Sequence, residues 1–226
     1  MSLRDDVALG CRILALEDQG DFVWGHVSAR DPDGRGVWMK AAGWGFDEIG
    51  AERVILVSWD GDVLEGGGRR HVEYPIHTQL MRARPDVNSV VHTHAPWSVA
   101  FGSTGEPLRP LSHEGTWFVP PDVARFTKTG DLIVDAELGG DVAATVGDRN
   151  AALMVNHGIV ACGADLPTAV FTAVFLERAC RANMRALMAG GPKHWSSDEE
   201  ALAKRAHVYS AEAAWDYFAR RLAAPG

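Results

Sequence analysis

Two tight turns restrict this chain to a largely antiparallel sheet. Asp31-Pro32-Asp33-Gly34 separates an apolar run at 22–29 from a shorter one at 37–40, and Asp60-Gly61-Asp62 closes the β-branched run at 53–59. These turns are built from residues that preset or tolerate turn dihedrals. Connections so short return a strand only antiparallel, because a parallel neighbour needs a crossover of a dozen or more residues.

Helical signals are interleaved with the strands. Leu3, Val7, Leu9, Cys11, Leu14 and Leu16 outline an amphipathic helix over 3–19, with Gly20 placed for a left-handed cap. Pro75 suits a first helical turn and Pro85 a stop, while Pro167 and Gly190-Gly191 bracket a long helix. Ser197 with Glu200 reads as a capping box for a last helix reaching about residue 222. Further strands are expected at 132–134, at 152–161 and in the stretch VVHTHAPWSV at 90–99. With no repeat or linker in between, the pattern predicts one α/β domain over residues 1–226, in two or three layers, with a mainly antiparallel sheet.

Composition narrows the function. A net charge of −8, with the basic residues scattered, argues against a general nucleic-acid binder, which needs a basic surface to displace counterions from phosphates. No apolar stretch approaches the roughly 18 residues that span a bilayer, and the start MSLRDDVALG lacks the apolar core of a signal peptide. Cys11, Cys162 and Cys180 are odd in number and lack metal-binding spacing, as expected of reduced, packed thiols. A cytoplasmic protein acting on a small molecule, with no membrane and no nucleic acid as partner, is the expectation.

The histidines suggest the chemistry. In a strand, residues two apart share a face, so His92 and His94 can turn their lone pairs to one centre, as a divalent metal requires. Alone, that pattern equally fits two hydrogen-bonded histidines at a strand end. Asn156-His157-Gly158 then interrupts an apolar run, with a glycine that lets another group approach the backbone. Glu73, four residues before His77, stands at the expected helix start, where a solvated acid would also be at home. Together, three neutral imidazoles leave a metal with an open position, and a carboxylate beside it can move a proton while charge develops on oxygen.

GHVSAR at 25–30, Glu73-Tyr-Pro-Ile-His77, RPDVNSVVHTH at 84–94 and VNHGIVACG at 155–163 resemble, in order and spacing, the class II aldolase/adducin family over about residues 5–190. The resemblance implies a central, largely antiparallel sheet flanked by helices, and a homotetramer with sites between subunits. It also implies that His92, His94 and His157 hold a divalent metal, zinc first, with manganese or iron as alternatives. Glu73 matches the family's acid/base. The phosphate-binding members carry Gly-Asn, a Ser/Thr-Gly pair and a Ser-Ser pair where this chain has Gly25-His26, Ala42-Gly43 and His71-Val72. Without those hydroxyls, the expected substrate is an unphosphorylated hydroxy acid or hydroxyaromatic carboxylate, contacted by His26, Gly43, Arg70, His71 and, from the last helix, Tyr209. The expected reaction is carbon–carbon cleavage, by decarboxylation or retro-aldol reaction. A sugar-phosphate aldolase or epimerase and a non-catalytic, adducin-like interaction module are the alternatives. No tyrosine stands near His113 and Glu114, where the aldolases carry a catalytic one, so the proton donor to the leaving group is unassigned.

Overall fold

A computed structural model describes residues 2–208 and 210–224. Its centre is an eight-stranded sheet in the order β4-β3-β2-β1-β5-β8-β7-β6. The strands are β1 (His26–Arg30), β2 (Gly36–Lys40), β3 (Val54–Ser58), β4 (Val63–Glu65), β5 (Ser89–Thr93), β6 (Ala124–Phe126), β7 (Ala151–Met154) and β8 (Gly158–Gly163). Every pairing is antiparallel except β6 with β7. Both acidic turns close hairpins, β1–β2 and β3–β4, as their brevity requires.

Helices cover both faces, so the inner strands alternate between two buried cores instead of between core and water. Val27, Leu56, Val91, Leu153 and Ile159 pack towards α1 (Leu3–Leu16), α3 (Pro96–Thr104), α5 (Leu166–Met188) and α7 (Ala211–Ala223). Their strand neighbours Val57, Val90, Ala152 and Val160 pack towards α2 (Tyr74–Ala83) and α4 (Ala136–Val146). By the same alternation His92 shares the α2/α4 face with Val90, and His26 and Ser28, flanking Val27, turn to that face too.

Several expected elements change. The first helix ends at Leu16, and Asp18, not Gly20, takes the left-handed conformation at φ 59°, which a short polar side chain tolerates. The strand expected from residue 22 begins only at His26, because Phe22 has φ 46° and Asp21 and Trp24 form an isolated bridge around it. The run at 152–161 is two strands, β7 and β8, joined through Asn156 at φ 61°. The segment 132–134 is not a strand; the sheet edge is β6, and Ile133 is held elsewhere, as shown below. The stretch 90–99 leaves the sheet after Thr93 and enters α3 at Pro96, and α4 is a further helix. The Ser197–Glu200 capping box is present, but the last helix divides into α6 (Asp198–Val208) and α7, whose own cap is Ser210. Tyr209 lies outside the described residues.

Candidate metal centre

Four segments that are distant in sequence meet where β5 leaves the sheet. Pairing of β5 with β8 sets Thr93 against Ile159, which brings the β7–β8 turn carrying His157 beside His94. Pairing with β1 sets His26 opposite His92. Glu73 occupies the N-cap position of α2 but makes no capping hydrogen bond; its carboxylate turns into the histidines and accepts the Ile133 N–H at 2.9 Å. Ligand atoms of Glu73, His92, His94 and His157 all lie within 4.8 Å of one another.

Hydrogen bonds on the far side of each ring aim the lone pairs. His92 Nδ1 is 2.8 Å from the Ile159 carbonyl, an acceptor only, so Nδ1 carries the hydrogen and Nε2 is bare. His94 Nδ1 lies 2.8 Å from Asp21 Oδ2 and is fixed in the same tautomer. The two bare Nε2 atoms then face each other at 3.2 Å with no hydrogen to share. Two nitrogens on a tetrahedral ion, each at about 2.0–2.1 Å, stand roughly 3.3 Å apart. His157 has both ring nitrogens buried without a hydrogen-bond partner, and its Nε2 is 3.4 Å from Glu73 Oε1. Opposed lone pairs, an orphaned buried imidazole and a carboxylate are donors that a divalent cation satisfies together. These residues fit the metal.

Glycine at 158 is part of this geometry. A Cβ there would stand 2.5 Å from the Thr93 carbonyl, 3.0 Å from His94 Cδ2 and 3.3 Å from His92 Cε1. Gly158→Ala therefore has to push the β5 backbone or the His92 and His94 rings aside. Its expected result is at least a 10-fold loss of metal affinity, measured by competition with a chelator, because a ligand displaced directly is disturbed no less than by loss of an outer hydrogen bond. Wild-type affinity in Gly158→Ala would show that the centre tolerates the shift.

A second ring of polar groups backs the first. His26 Nε2 and His92 Nε2 stand 3.9 and 3.7 Å from Glu73 Oε2. Burial raises the Glu73 carboxyl, but its imidazole neighbours, led by His157 and His26, outweigh that and hold it well below the ordinary carboxylate range. Burial pushes His26 and His92 far down, and His71 and His77 to about 3, so these rings are neutral. Lys40 is fully buried, donates to the Val23 carbonyl at 2.9 Å and lies 3.2 Å from His71 Nε2; burial lowers it to about 8.

The residues expected at the substrate divide. His26 and His71 join the cluster, their rings 4.5 Å apart. Gly43 sits in an exposed turn at φ 90°, in a loop tied to the next by the Ala42 N–H to Arg69 carbonyl bond. Arg70 is engaged by the Gly61 and His71 carbonyls and stacks 4.3 Å over the Tyr74 ring. Asp21, Ser28, His77 and the Ile133 N–H are additions. Ser28 and His77 carry a signal in their spacing, two residues from His26 on its strand face and four from Glu73 on its helix; the Ile133 backbone carries none.

Comparison with known proteins identifies the family. Residues 5–184 match the Class II Aldolase and Adducin N-terminal domain family. The 3,4-dihydroxyphthalate decarboxylase of Arthrobacter keyseri is 30% identical, covering 98% of this chain and 94% of its own. The solved L-fuculose 1-phosphate aldolase of Glaciozyma antarctica PI12 superposes with a TM-score of 0.84 at 25% identity, over 97% of this chain and 89% of that one. An aldolase II superfamily protein from Pseudomonas syringae superposes at 0.85 and 26%, over 97% and 91%. The chain belongs to the class II aldolase and adducin family and is a lyase of that family.

Proposed function

We propose that this lyase is a decarboxylase of an unphosphorylated, ortho-hydroxylated aromatic carboxylate of the dihydroxyphthalate kind, with His92, His94 and His157 holding zinc and Glu73 moving the proton. The observation that carries the reading is the pair of buried imidazoles, His26 and His71, beside Glu73, where a phosphate would call for hydroxyls and free backbone N–H groups. Three imidazoles with a carboxylate favour zinc, and manganese or iron take the same donors.

When bound, the metal supplies positive charge for the substrate oxygens and for the negative charge that develops on them. The residues of the chain do the rest. Ionised Glu73 takes the proton of the ring hydroxyl, and the electron pair released on that oxygen moves into the ring. Glu73 then returns the proton to the ring carbon beside that oxygen, and this carbon loses its carboxylate as carbon dioxide, the electron pair of the broken carbon–carbon bond restoring the aromatic ring and the charge on the oxygen. Atoms balance without an oxidant or a second substrate. The Ile133 N–H, fixed on Oε1, keeps the carboxylate in one orientation throughout.

Two further features support an assembly of several copies in the cytoplasm, a homotetramer in our reading. Exposed Phe22, Trp24, Val72, Leu132 and Val134 are sequence neighbours of Asp21, Glu73 and Ile133, so the apolar surface lies on the segments that build the site and suits burial by another copy. All three cysteines are free and buried, as suits a reducing compartment.

The test is a product assay on the zinc-loaded enzyme with 3,4-dihydroxyphthalate and with fuculose 1-phosphate. Carbon dioxide release from the first, with turnover of the second at least about 100-fold slower, is expected, since a missing set of hydrogen bonds discriminates strongly. Efficient cleavage of the sugar phosphate, inhibited by low inorganic phosphate, would overturn the assignment.

A further inference from the structure

Lys40 has no part in the chemistry above, yet the fold buries it completely. Lysine is seldom buried without a paired charge, and among the described residues Lys40 forms no ion pair. It ends β2 on the face of Trp38, a member of the α1-side core, so the amine stands where strand parity calls for another apolar residue. Its Nζ is 5.6 Å from the centre of the Phe46 ring, donates to the Val23 carbonyl at 2.9 Å and lies 3.2 Å from His71 Nε2.

The Val23 carbonyl belongs to a turn, residues 21–24, that has little else to hold it. Phe22 takes φ 46°, a conformation that costs a bulky residue energy. Phe22 and Trp24 are 83% and 55% exposed and meet each other edge to face, so their rings supply little packing within the chain. The Trp24 N–H is bonded inside the turn, to the Asp21 carbonyl at 2.9 Å. Among the described residues, two hydrogen bonds tie 21–24 to the rest of the fold: Lys40 to the Val23 carbonyl, and His94 Nδ1 to the Asp21 carboxylate. The first supports the second, because Val23 is two residues from Asp21 and a strained, exposed turn relaxes when one tether is released.

We infer that Lys40 is a positioning residue for the metal centre: by holding the Val23 carbonyl it keeps the 21–24 turn in the conformation that delivers the Asp21 carboxylate to His94, and so fixes the His94 ring. The inference rests on His94 as a metal ligand, and not on the reaction or the substrate. It does not depend on charge either, because a lysine amine carries N–H donors in both its protonation states. Contact with His71 extends the same clamp to the segment that leads into Glu73, so one buried amine joins β2, the Asp21 turn and the loop ahead of α2.

Competition with a chelator measures the zinc affinity of the wild type, Asp21→Ala, Lys40→Met and the double variant. Asp21→Ala is expected to lose about 10–100-fold, as for any outer hydrogen bond to a ligand histidine, and Lys40→Met, similar in length but without a donor, about 10-fold or more. The double variant is expected within about twofold of Asp21→Ala, because Lys40 acts through Asp21. Losses that multiply in the double variant overturn the inference. So does wild-type affinity in Lys40→Met, which with a raised KM would make Lys40 a counter-charge for the substrate instead. Lys40→Gln, shorter but polar, is carried through the same cycle, so that one variant's failure to fold leaves the test standing. Amide hydrogen exchange is read alongside: the Trp24 N–H is expected to exchange at least about 10-fold faster in both Lys40 variants, and an unchanged rate overturns the clamp. A wild type that binds no zinc, or binds it equally well in His94→Ala, removes the metal reading, and the exchange rates then judge by themselves whether Lys40 holds the turn.

Discussion

Glu73→Gln is expected to turn over its substrate about 10²–10⁴-fold more slowly than the wild type, the range for loss of a positioned acid/base, or roughly 3–5 kcal/mol of transition-state stabilisation. The substitution is selective because Gln keeps what Glu73 does for the structure. Its amide oxygen still accepts the Ile133 N–H, and its volume still fills the space between His26, His92 and His157. What it cannot do is exchange a proton. Metal content and assembly should therefore match the wild type while kcat falls. A Glu73→Gln enzyme running at the wild-type rate across the pH range would leave Glu73 as a spacer and move the proton transfer to another group, with His26 the nearest candidate.

How far the sequence reached follows from which signals are local. The acidic turns at 31–34 and 60–62 specify antiparallel hairpins by themselves, and both formed. Parity along a strand set His92 on the face that meets α2. The run at 152–161 misled because apolar residues on both sides of Asn156-His157-Gly158 look like one buried strand; only the pairing of β7 with β8, a contact between segments, turns the polar triplet into a hairpin tip. Asp21 carries no local signal: it meets His94 from a segment in which Phe22 takes a positive φ that its side chain does not favour. α3 was hidden for another reason: Pro-Trp-Ser-Val-Ala-Phe-Gly-Ser-Thr has no continuous polar stripe, since α5 packs over it and Glu177 accepts the Trp97 and Ser98 N–H groups at its start.

His157→Ala is expected to lower zinc affinity by more than the 10–100-fold that loss of an outer hydrogen bond costs, and to abolish turnover at ordinary metal concentrations. The reason is the lack of any free replacement among the described residues near the site. His92 and His94 are already committed, each held by a bond at Nδ1 that leaves one lone pair to give. The other nearby imidazoles, His26 and His77, are tied to each other and to Ser28, and His71 is beside Lys40. Glu73 could close in as a third ligand, but a carboxylate bound in that way is no longer free to carry the proton, so activity should not return even where excess zinc refills the site. Titration with a competing chelator measures the first effect and turnover in excess zinc the second. Full stoichiometric zinc at the native site in His157→Ala, with wild-type affinity, would remove His157 from the ligand set and leave its ring with only the 3.4 Å contact of Nε2 to Glu73 Oε1.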